Sequence, residues 1–233
     1  CVKLYDTESS AALVKPLLGP DSMVVTLQNG VEAPDIVAKV IGPGRTIGGA
    51  AYISSTIEAP GVVRHNNDLA RIDIGEPDGP VSDRVRNLAK TFTAAGFTTN
   101  AVDDMAALLW TKFVLLASNS GMASLTRQDS GSFTSDPAIE LVWRRALAET
   151  AAVGRAKGVA LDANIVENCV KWVKDNPPIK PSMLVDLERG RKLELDWLTG
   201  TIHRLGLETG VPTPTHDTIY AALHPFVNGA PAA

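Results

Sequence analysis

The feature that most constrains the fold is a change of pattern near residue 103. Before it, β-rich apolar runs such as residues 23–27 and 70–75 alternate with helical segments. Apolar strands that alternate with helices are typical of a mostly parallel sheet with helices packed against it. After it, the pattern predicts helices only. We therefore expect an α/β region at residues 1–103 and an all-helical domain at residues 104–233.

The secondary structure follows from periodicity and from the Gly, Pro and Asn signals that end each segment. The first region is predicted to have strands at residues 1–5, 23–27, 47–57, 61–65, 70–75 and 98–102, and helices at 7–18, 32–41 and 81–95. The second is predicted to have helices at residues 105–125, 137–157, 164–174, 183–188, 193–209 and 215–223. Asn66-Asn67 is predicted to be a turn.

Composition excludes several classes of function. The chain has 22 basic and 26 acidic residues in 233, and a net charge of −4 argues against nucleic acid as the natural partner. The run from Met105 to Leu116 is too short to cross a membrane. Cys1 and Cys169 form neither a disulfide framework nor a metal-ligand pattern, which fits a reducing cytoplasm, and we expect no metal site.

Lys112 is the most unusual residue, because the helix predicted around it is apolar on every face. An unpaired buried ammonium group costs several kcal/mol, so such a lysine shifts its pKa, finds partners or extends to water. One interpretation is a lysine at a helix edge whose amine reaches solvent. The other is a lysine facing a cleft, where partial desolvation adapts it for proton transfer.

Three further polar residues occupy positions at which a ligand can bind. Glu194 is predicted in the first turn of the helix at residues 193–209, on its apolar face; the alternatives are a carboxylate favoured by the helix dipole, or one that meets an ion-pair partner or ligand. Ser182 follows Pro181 as a helix N-cap does, and serine there also suits a carboxylate. Asn29 follows a predicted parallel strand, where ligands bind in open sheets, although Asn-Gly is also a common turn. The sequence contains no G-x-G-x-x-G phosphate loop after a strand.

At these residues the chain closely resembles the ketopantoate reductase (2-dehydropantoate 2-reductase) family. The matching residues, in family order, are Val2-Lys3, Gln28-Asn29-Gly30, Pro60-Gly61 with His65, Leu109 to Lys112, Ser182-Met183-Leu184 with Asp186, and Glu194 with Asp196 and Gly200. The resemblance implies a Rossmann domain, a helical substrate and dimerisation domain, and an active site in the cleft between them. It also implies a cytoplasmic, NADPH-dependent homodimer that reduces 2-dehydropantoate to pantoate in pantothenate biosynthesis.

The resemblance also implies residue roles. Lys112 matches the catalytic general acid, and Ser182 matches the residue that holds the carboxylate of the 2-oxo acid. Asn29 matches the asparagine that contacts both cofactor and substrate. Glu194 matches the glutamate at the cofactor and substrate end of the cleft.

Two more residues are assigned to NADP by the resemblance. Lys3 matches a lysine near the cofactor, and Ser55 is a weaker contact by position. The glycine-rich loop and first strands of the family do not occur in the sequence, from which we expect a truncated sequence that binds the dinucleotide poorly.

The chain departs from the family after Lys112. Family members often have asparagines four and eight residues later, where this chain has Leu116 and Ser120. Asn119 lies about 20° from Lys112 around an ideal helix and is a candidate substitute, so Asn119 and Ser120 are both predicted to bind substrate. The alternatives are a reductase of another 2-oxo acid, or a non-catalytic truncated family member.

Overall fold

The computed structural model describes residues 2–230, except the side chains of residues 67 and 68. The chain forms two compact units, of which the first ends at Leu109 and the second begins at Trp110. The sequence placed the change of architecture near residue 103, a few residues earlier. Among the described residues, no helix combines the length and hydropathy that a membrane span requires.

The first unit is built on a four-stranded sheet with the order β1-β2-β3-β4. Its strands are β1 (Val24–Val25), β2 (Thr46–Ala59), β3 (Val62–Gly75) and β4 (Thr98–Ala101), and its helices are α1 (Thr7–Val14), α2 (Ala33–Ile41) and α3 (Asp83–Ala94). β1 pairs with β2 and β3 pairs with β4 in parallel, whereas β2 and β3 are antiparallel. The predicted α/β class with a parallel-dominated sheet is confirmed for the described residues.

The sheet packs one face against α3. Ile47 and Ile74, both fully buried, form a cluster with Val85 of α3. The Ser82 hydroxyl accepts a hydrogen bond from the Val85 N–H at 3.3 Å, so a polar side chain caps the helix where its apolar face begins. Gly49 is required where β2 passes the β1 end, because a Cβ atom there would lie 2.7 Å from the Thr26 carbonyl oxygen.

Two predictions for the first unit are wrong. Asn66-Asn67 is not a turn, since β3 is continuous from Val62 to Gly75. Instead, the pairing register shifts between Ile53–Ala70 and Ser55–His65, so β3 has the extra residues of a bulge there. The predicted strand at residues 1–5 is also absent from its described part. Leu4–Asp6 is a 3₁₀ turn, because the Asp6 N–H bonds back to the Lys3 carbonyl at 2.9 Å; Cys1 lies outside the described residues.

The second unit is helical throughout its described part. It contains α4 (Met105–Thr126, which begins in the first unit), α5 (Ser132–Ser135), α6 (Pro137–Ala156), α7 (Ile165–Asp175), α8 (Ser182–Glu188), α9 (Thr199–Thr209) and α10 (Pro214–Leu223). Trp143, Phe133 and Leu147 are fully buried at its centre. The helix predicted from residue 193 begins only at Thr199, because Leu198 leaves the helical region with φ −112° and ψ −94°.

Candidate active site

Lys112 lies in α4 between the exposed Thr111 and the buried Phe113. Phe113 and Val114 are at most 1% exposed and Trp110 is 7% exposed, whereas Lys112 is half-buried. The sequence predicted a helix with apolar residues on all sides, and three apolar neighbours of Lys112 (Trp110, Phe113 and Val114) are indeed buried. Lys112 is therefore partly covered and partly open to solvent. Partial burial of this kind is compatible with an amine that transfers protons.

Asn119 and Ser120 lie two turns further along α4. Asn119 is 8% exposed, and its Oδ1 accepts a hydrogen bond of 2.7 Å from the Trp143 indole N–H. Ser120 is 1% exposed, and its hydroxyl is buried without a hydrogen-bond partner. On an ideal helix Asn119 is about 20° and Ser120 about 80° from Lys112, so Asn119 shares the lysine face more closely.

Ser182 is the first residue of α8 rather than its N-cap. The N-cap residue is Pro181, with φ −62° and ψ 150°, and its side chain makes no capping hydrogen bond. Of the two alternatives for Ser182, the helix cap is wrong, because the proline ring fixes an extended residue one position earlier. Ser182 is exposed, while Met183 and Leu184 behind it are buried and anchor the helix.

Glu194 is buried, with 5% of its surface exposed, between the buried residues Leu193 and Leu195. It lies before a 3₁₀ turn at Leu195–Trp197, outside α9, so its predicted place in the first turn of that helix is wrong. It takes part in polar or electrostatic contacts, as a buried carboxylate must. The predicted burial of this carboxylate agrees with the structure, although its position relative to α9 does not.

Asn29 belongs to the loop that follows β1 and precedes α2, and it is half-buried. The loop is held by Gln28, whose Oε1 accepts from the Leu27 N–H at 3.1 Å and whose Nε2 donates to the Thr7 hydroxyl at 3.3 Å. Gly30 takes φ 94°, a conformation that favours glycine. Asn29 therefore follows the carboxyl end of a parallel strand, as the sequence predicted.

Lys3 and Ser55 are the other predicted residues of the first unit. Lys3 is half-buried just before the 3₁₀ turn at Leu4–Asp6. Ser55 is exposed on β2, where it pairs with His65 of β3. Of the predicted site residues, the described geometry places Lys112 and Asn119 on one helix face.

Two features lie outside the predicted set. Trp143 was not singled out in the sequence, because a tryptophan on an apolar helix face has the pattern of an ordinary core residue. A groove of about 380 Å³ in the second unit contains none of the predicted residues; it is lined by Asp196, Gly200, His203, Arg204, Leu207 and Tyr220. Within the described part of the chain, no cluster of three or more His, Cys, Asp or Glu side chains could hold a metal ion.

Comparison with known proteins identifies the family. The sequence model of the family described as "Ketopantoate reductase PanE/ApbA" matches residues 1–79, and that of "Ketopantoate reductase PanE/ApbA C terminal" matches residues 104–227. A 2-dehydropantoate 2-reductase of Mesorhizobium japonicum is 32% identical over 240 residues, covering 94% of this chain and 73% of that protein. The chain belongs to the ketopantoate reductase family. The resemblance found in the sequence is confirmed, and with it the class of oxidoreductase.

Solved structures have the same fold. A ketopantoate reductase from Ralstonia eutropha JMP134 is similar with a TM-score of 0.87 and 30% identity over 97% of this chain and 74% of that chain. D-mandelate dehydrogenase in complex with NADH has a TM-score of 0.87 at 20% identity, covering 96% of this chain and 76% of that chain. At that identity the likeness shows the fold alone.

Proposed function

We propose that this chain carries the substrate-binding and proton-donating residues of an NADPH-dependent reductase that converts 2-dehydropantoate to pantoate. The observation that carries the proposal is Lys112, a half-buried lysine in α4 beside the buried residues Phe113 and Val114. Residues 1–103 would serve as the NADP-binding region and residues 104–233 as the substrate and dimerisation domain. Membership of the ketopantoate reductase family supports these assignments.

The proposed role of Lys112 is that of general acid. When bound, the reduced nicotinamide supplies a hydride to C2 of the 2-oxo acid. The oxygen on that carbon then needs a proton, and an ammonium group with partial access to the surface can hold one for it.

Ser182 and Glu194 are proposed to bind the rest of the reactants. The exposed Ser182 hydroxyl can donate to the substrate carboxylate, and buried Met183 and Leu184 fix the start of its helix. Glu194 is a buried acceptor-only group, so it suits hydroxyl donors of the substrate or cofactor. Ser182 is exposed and Glu194 is buried, which agrees with their different proposed roles.

The residues around β1 fit part of a dinucleotide. The Asn29 loop follows the carboxyl end of a parallel strand, where ligands bind in open α/β sheets. The buried Gly30, with φ 94°, leaves no Cβ atom in the way of a close ligand. Asn29 and Lys3 would hold the cofactor in this unit, with Ser55 as a further contact.

The decisive experiment is turnover of 2-dehydropantoate with NADPH by the full-length gene product and its Lys112→Ala variant. Loss of a positioned general acid should lower kcat by about 10²–10⁴-fold. Lys157→Ala is the matched control, because Lys157 is an exposed lysine of the same unit and should keep normal kcat. A Lys112→Ala variant that retains near-normal kcat would refute the assigned role, and replacing NADPH by NADH tests the cofactor.

A second candidate function is reduction of another 2-oxo acid. Leu116 and Ser120 stand where family members often have asparagines, and the Ser120 hydroxyl is buried without a partner. The chain therefore has fewer polar groups with which to select a hydroxylated substrate. A panel of 2-oxo acids decides between the candidates: a preference for 2-dehydropantoate by orders of magnitude in kcat/KM would exclude this second one.

We also propose that the protein is a homodimer. The support is membership of the ketopantoate reductase family. Sedimentation equilibrium should give twice the chain mass, and a monomer at micromolar concentration would contradict the proposal.

A further inference from the structure

The hydrogen bond between Trp143 and Asn119 has a consequence for the proposed site. Trp143 of α6 is fully buried and Asn119 is 8% exposed, and their Nε1 and Oδ1 atoms are 2.7 Å apart. An indole N–H only donates, so the amide atom that faces it must be the oxygen. The Asn119 Nδ2 group, with its two N–H donors, is therefore on the branch of the amide turned away from Trp143.

This orientation is held firmly. The Trp143 ring packs on Phe133 with centroids 5.3 Å apart, and both side chains are fully buried. If the amide turned over, two donors would face each other inside the unit, and a buried donor without a partner costs about 1–3 kcal/mol. Neither the ring nor the amide can therefore change orientation without loss.

Along the helix face that carries Asn119, residues become progressively more buried from Lys112 toward the C-terminal end of α4. Lys112 and Leu116 are half-buried, Asn119 is 8% exposed, and Ala123, one turn further, is fully buried. On an ideal helix these residues lie within about 60° of one another. Asn119 thus lies at the boundary between the half-buried part of this face, which begins at Lys112, and its fully buried part.

We propose that Trp143 is a positioning residue for the substrate site, fixing the Asn119 amide so that it offers N–H donors on the Lys112 face. A lysine ammonium also only donates. The substrate end that reaches Asn119 must then be a hydrogen-bond acceptor, such as a hydroxyl or carboxylate oxygen. This inference rests on the proposed function, because it assumes that the Lys112 face binds a 2-oxo acid.

The test is a double-mutant cycle on the full-length protein. Trp143→Phe and Asn119→Ala should each raise the KM for the 2-oxo acid about 3–10-fold, the range that a net neutral hydrogen bond accounts for, with kcat changed less than about 2-fold. Because Trp143 acts through Asn119, the double variant should be no worse than Asn119→Ala. Leu147→Val disturbs the same buried core, leaves the indole N–H and the Phe133 ring in place, and should keep KM within about 2-fold. An unchanged KM in Trp143→Phe, or effects that multiply in the double variant, would overturn the inference.

Asn119→Asp tests the same idea without altering Trp143. It keeps an oxygen for the indole but puts a carboxylate oxygen where the donors were, so it should raise KM more than Asn119→Ala does. Wild-type affinity for the 2-oxo acid in Asn119→Asp would overturn the inference even if Trp143→Phe does not fold.

Failure of the proposed function gives a different result from failure of this inference. If the wild-type protein reduces no 2-oxo acid, the proposed function fails. The positioning role is then read from the Asn119 side-chain amide signals in a ¹H–¹⁵N spectrum. They should shift in Trp143→Phe and not in Leu147→Val, and signals that stay in place in Trp143→Phe would overturn the positioning role.

Discussion

Both units bury polar groups, but they do so in opposite ways. In the sheet, Asp73 is 3% exposed and is bonded to Asn100 Nδ2 at 2.7 Å and to Arg71 Nη2 at 3.1 Å, as an ion pair. In the helical unit, His216 is fully buried, and its Nε2 lies 2.9 Å from the Thr150 hydroxyl and 3.1 Å from the Ala146 carbonyl.

The difference depends on whether the buried polar group has a charged partner that is exposed to solvent. The Arg71 side chain is 42% exposed and its guanidinium stacks over the Tyr52 ring at 4.2 Å, so its charge remains solvated. Burial, and next the charge of Asp73, raises the pKa of Tyr52 against the opposing effect of Arg71. A charge is thus kept in the interior of this protein where its counter-ion has access to solvent.

The His216 side chain is fully buried and does not reach solvent. Burial lowers the pKa of His216, and the Ala146 carbonyl and the charges of Glu149 and Asp217 oppose this effect without overcoming it. The Nδ1 atom is buried with no hydrogen-bond partner, so a second proton would have no acceptor. The histidine is therefore kept neutral.

Removing Asp73 should have the largest effect on stability. Asp73→Ala leaves the Arg71 and Asn100 donors without their shared acceptor and should lower the free energy of unfolding by about 2–3 kcal/mol at pH 7. It should also lower the pKa of Tyr52, which absorbance titration at alkaline pH would detect. Asp83→Ala is the control, since that carboxylate is exposed and paired with Arg86 on the surface. Equal losses in the two variants would remove the distinction between the buried and exposed pairs.

Lowering the pH should affect the helical unit next. Because the folded pKa of His216 lies below its unfolded value near 6.5, its contribution to stability is fully present above pH 6.5. Below pH 6.5 the free energy of unfolding should fall by about 1.4 kcal/mol for each pH unit, until the folded pKa is reached. Urea unfolding between pH 7 and 5.5 should show this slope in wild type and in His224→Gln, an exposed-histidine control, and less of it in His216→Gln. The same slope in His216→Gln would contradict the assignment.

Glu149→Gln should have a smaller effect. The Glu149 carboxylate accepts from the Thr215 N–H at 2.9 Å and the His216 N–H at 3.0 Å, at the start of α10. Losing the charge while keeping one oxygen should cost about 1 kcal/mol at pH 7. It should also lower the pKa of His216 further and extend the acid slope to lower pH. Glu208→Gln, which alters an exposed pair with Arg204, should do neither.

The smallest effect is expected at the exposed end of the β2–β3 hairpin. Arg64 pairs with Glu58, and both side chains are about half exposed. Arg64→Ala should change the free energy of unfolding by less than about 0.5 kcal/mol, because solvent screens such pairs. A loss above about 1 kcal/mol by urea denaturation would show that exposure does not separate this pair from Arg71–Asp73.

Long periodic helices could be located closely from the sequence. The predictions of helices at residues 105–125 and 137–157 correspond to Met105–Thr126 and Pro137–Ala156. The second succeeded because many apolar positions report one period, and the first because its apolar run is long and has no Gly or Pro near its start. The helix predicted from residue 193 failed at its start, because its apolar residues Leu193, Leu195 and Leu198 are buried without being helical.

The family also followed from the sequence, because its signals are local. Lys112 stands out within a few residues as a charge in an apolar run, and Ser182 and Glu194 keep a fixed spacing. Each can be recognised without knowing what lies opposite it in the folded chain.

What only the tertiary structure decided is how polar groups meet across elements. The Trp143–Asn119 bond joins residues 24 apart in the chain, and the contact between His216 and Thr150 spans 66. A tryptophan or histidine on an apolar face has the same sequence pattern whether or not its nitrogen finds a partner. Such pairs depend on how helices pack, and that packing is set by the whole buried surface rather than by any one segment.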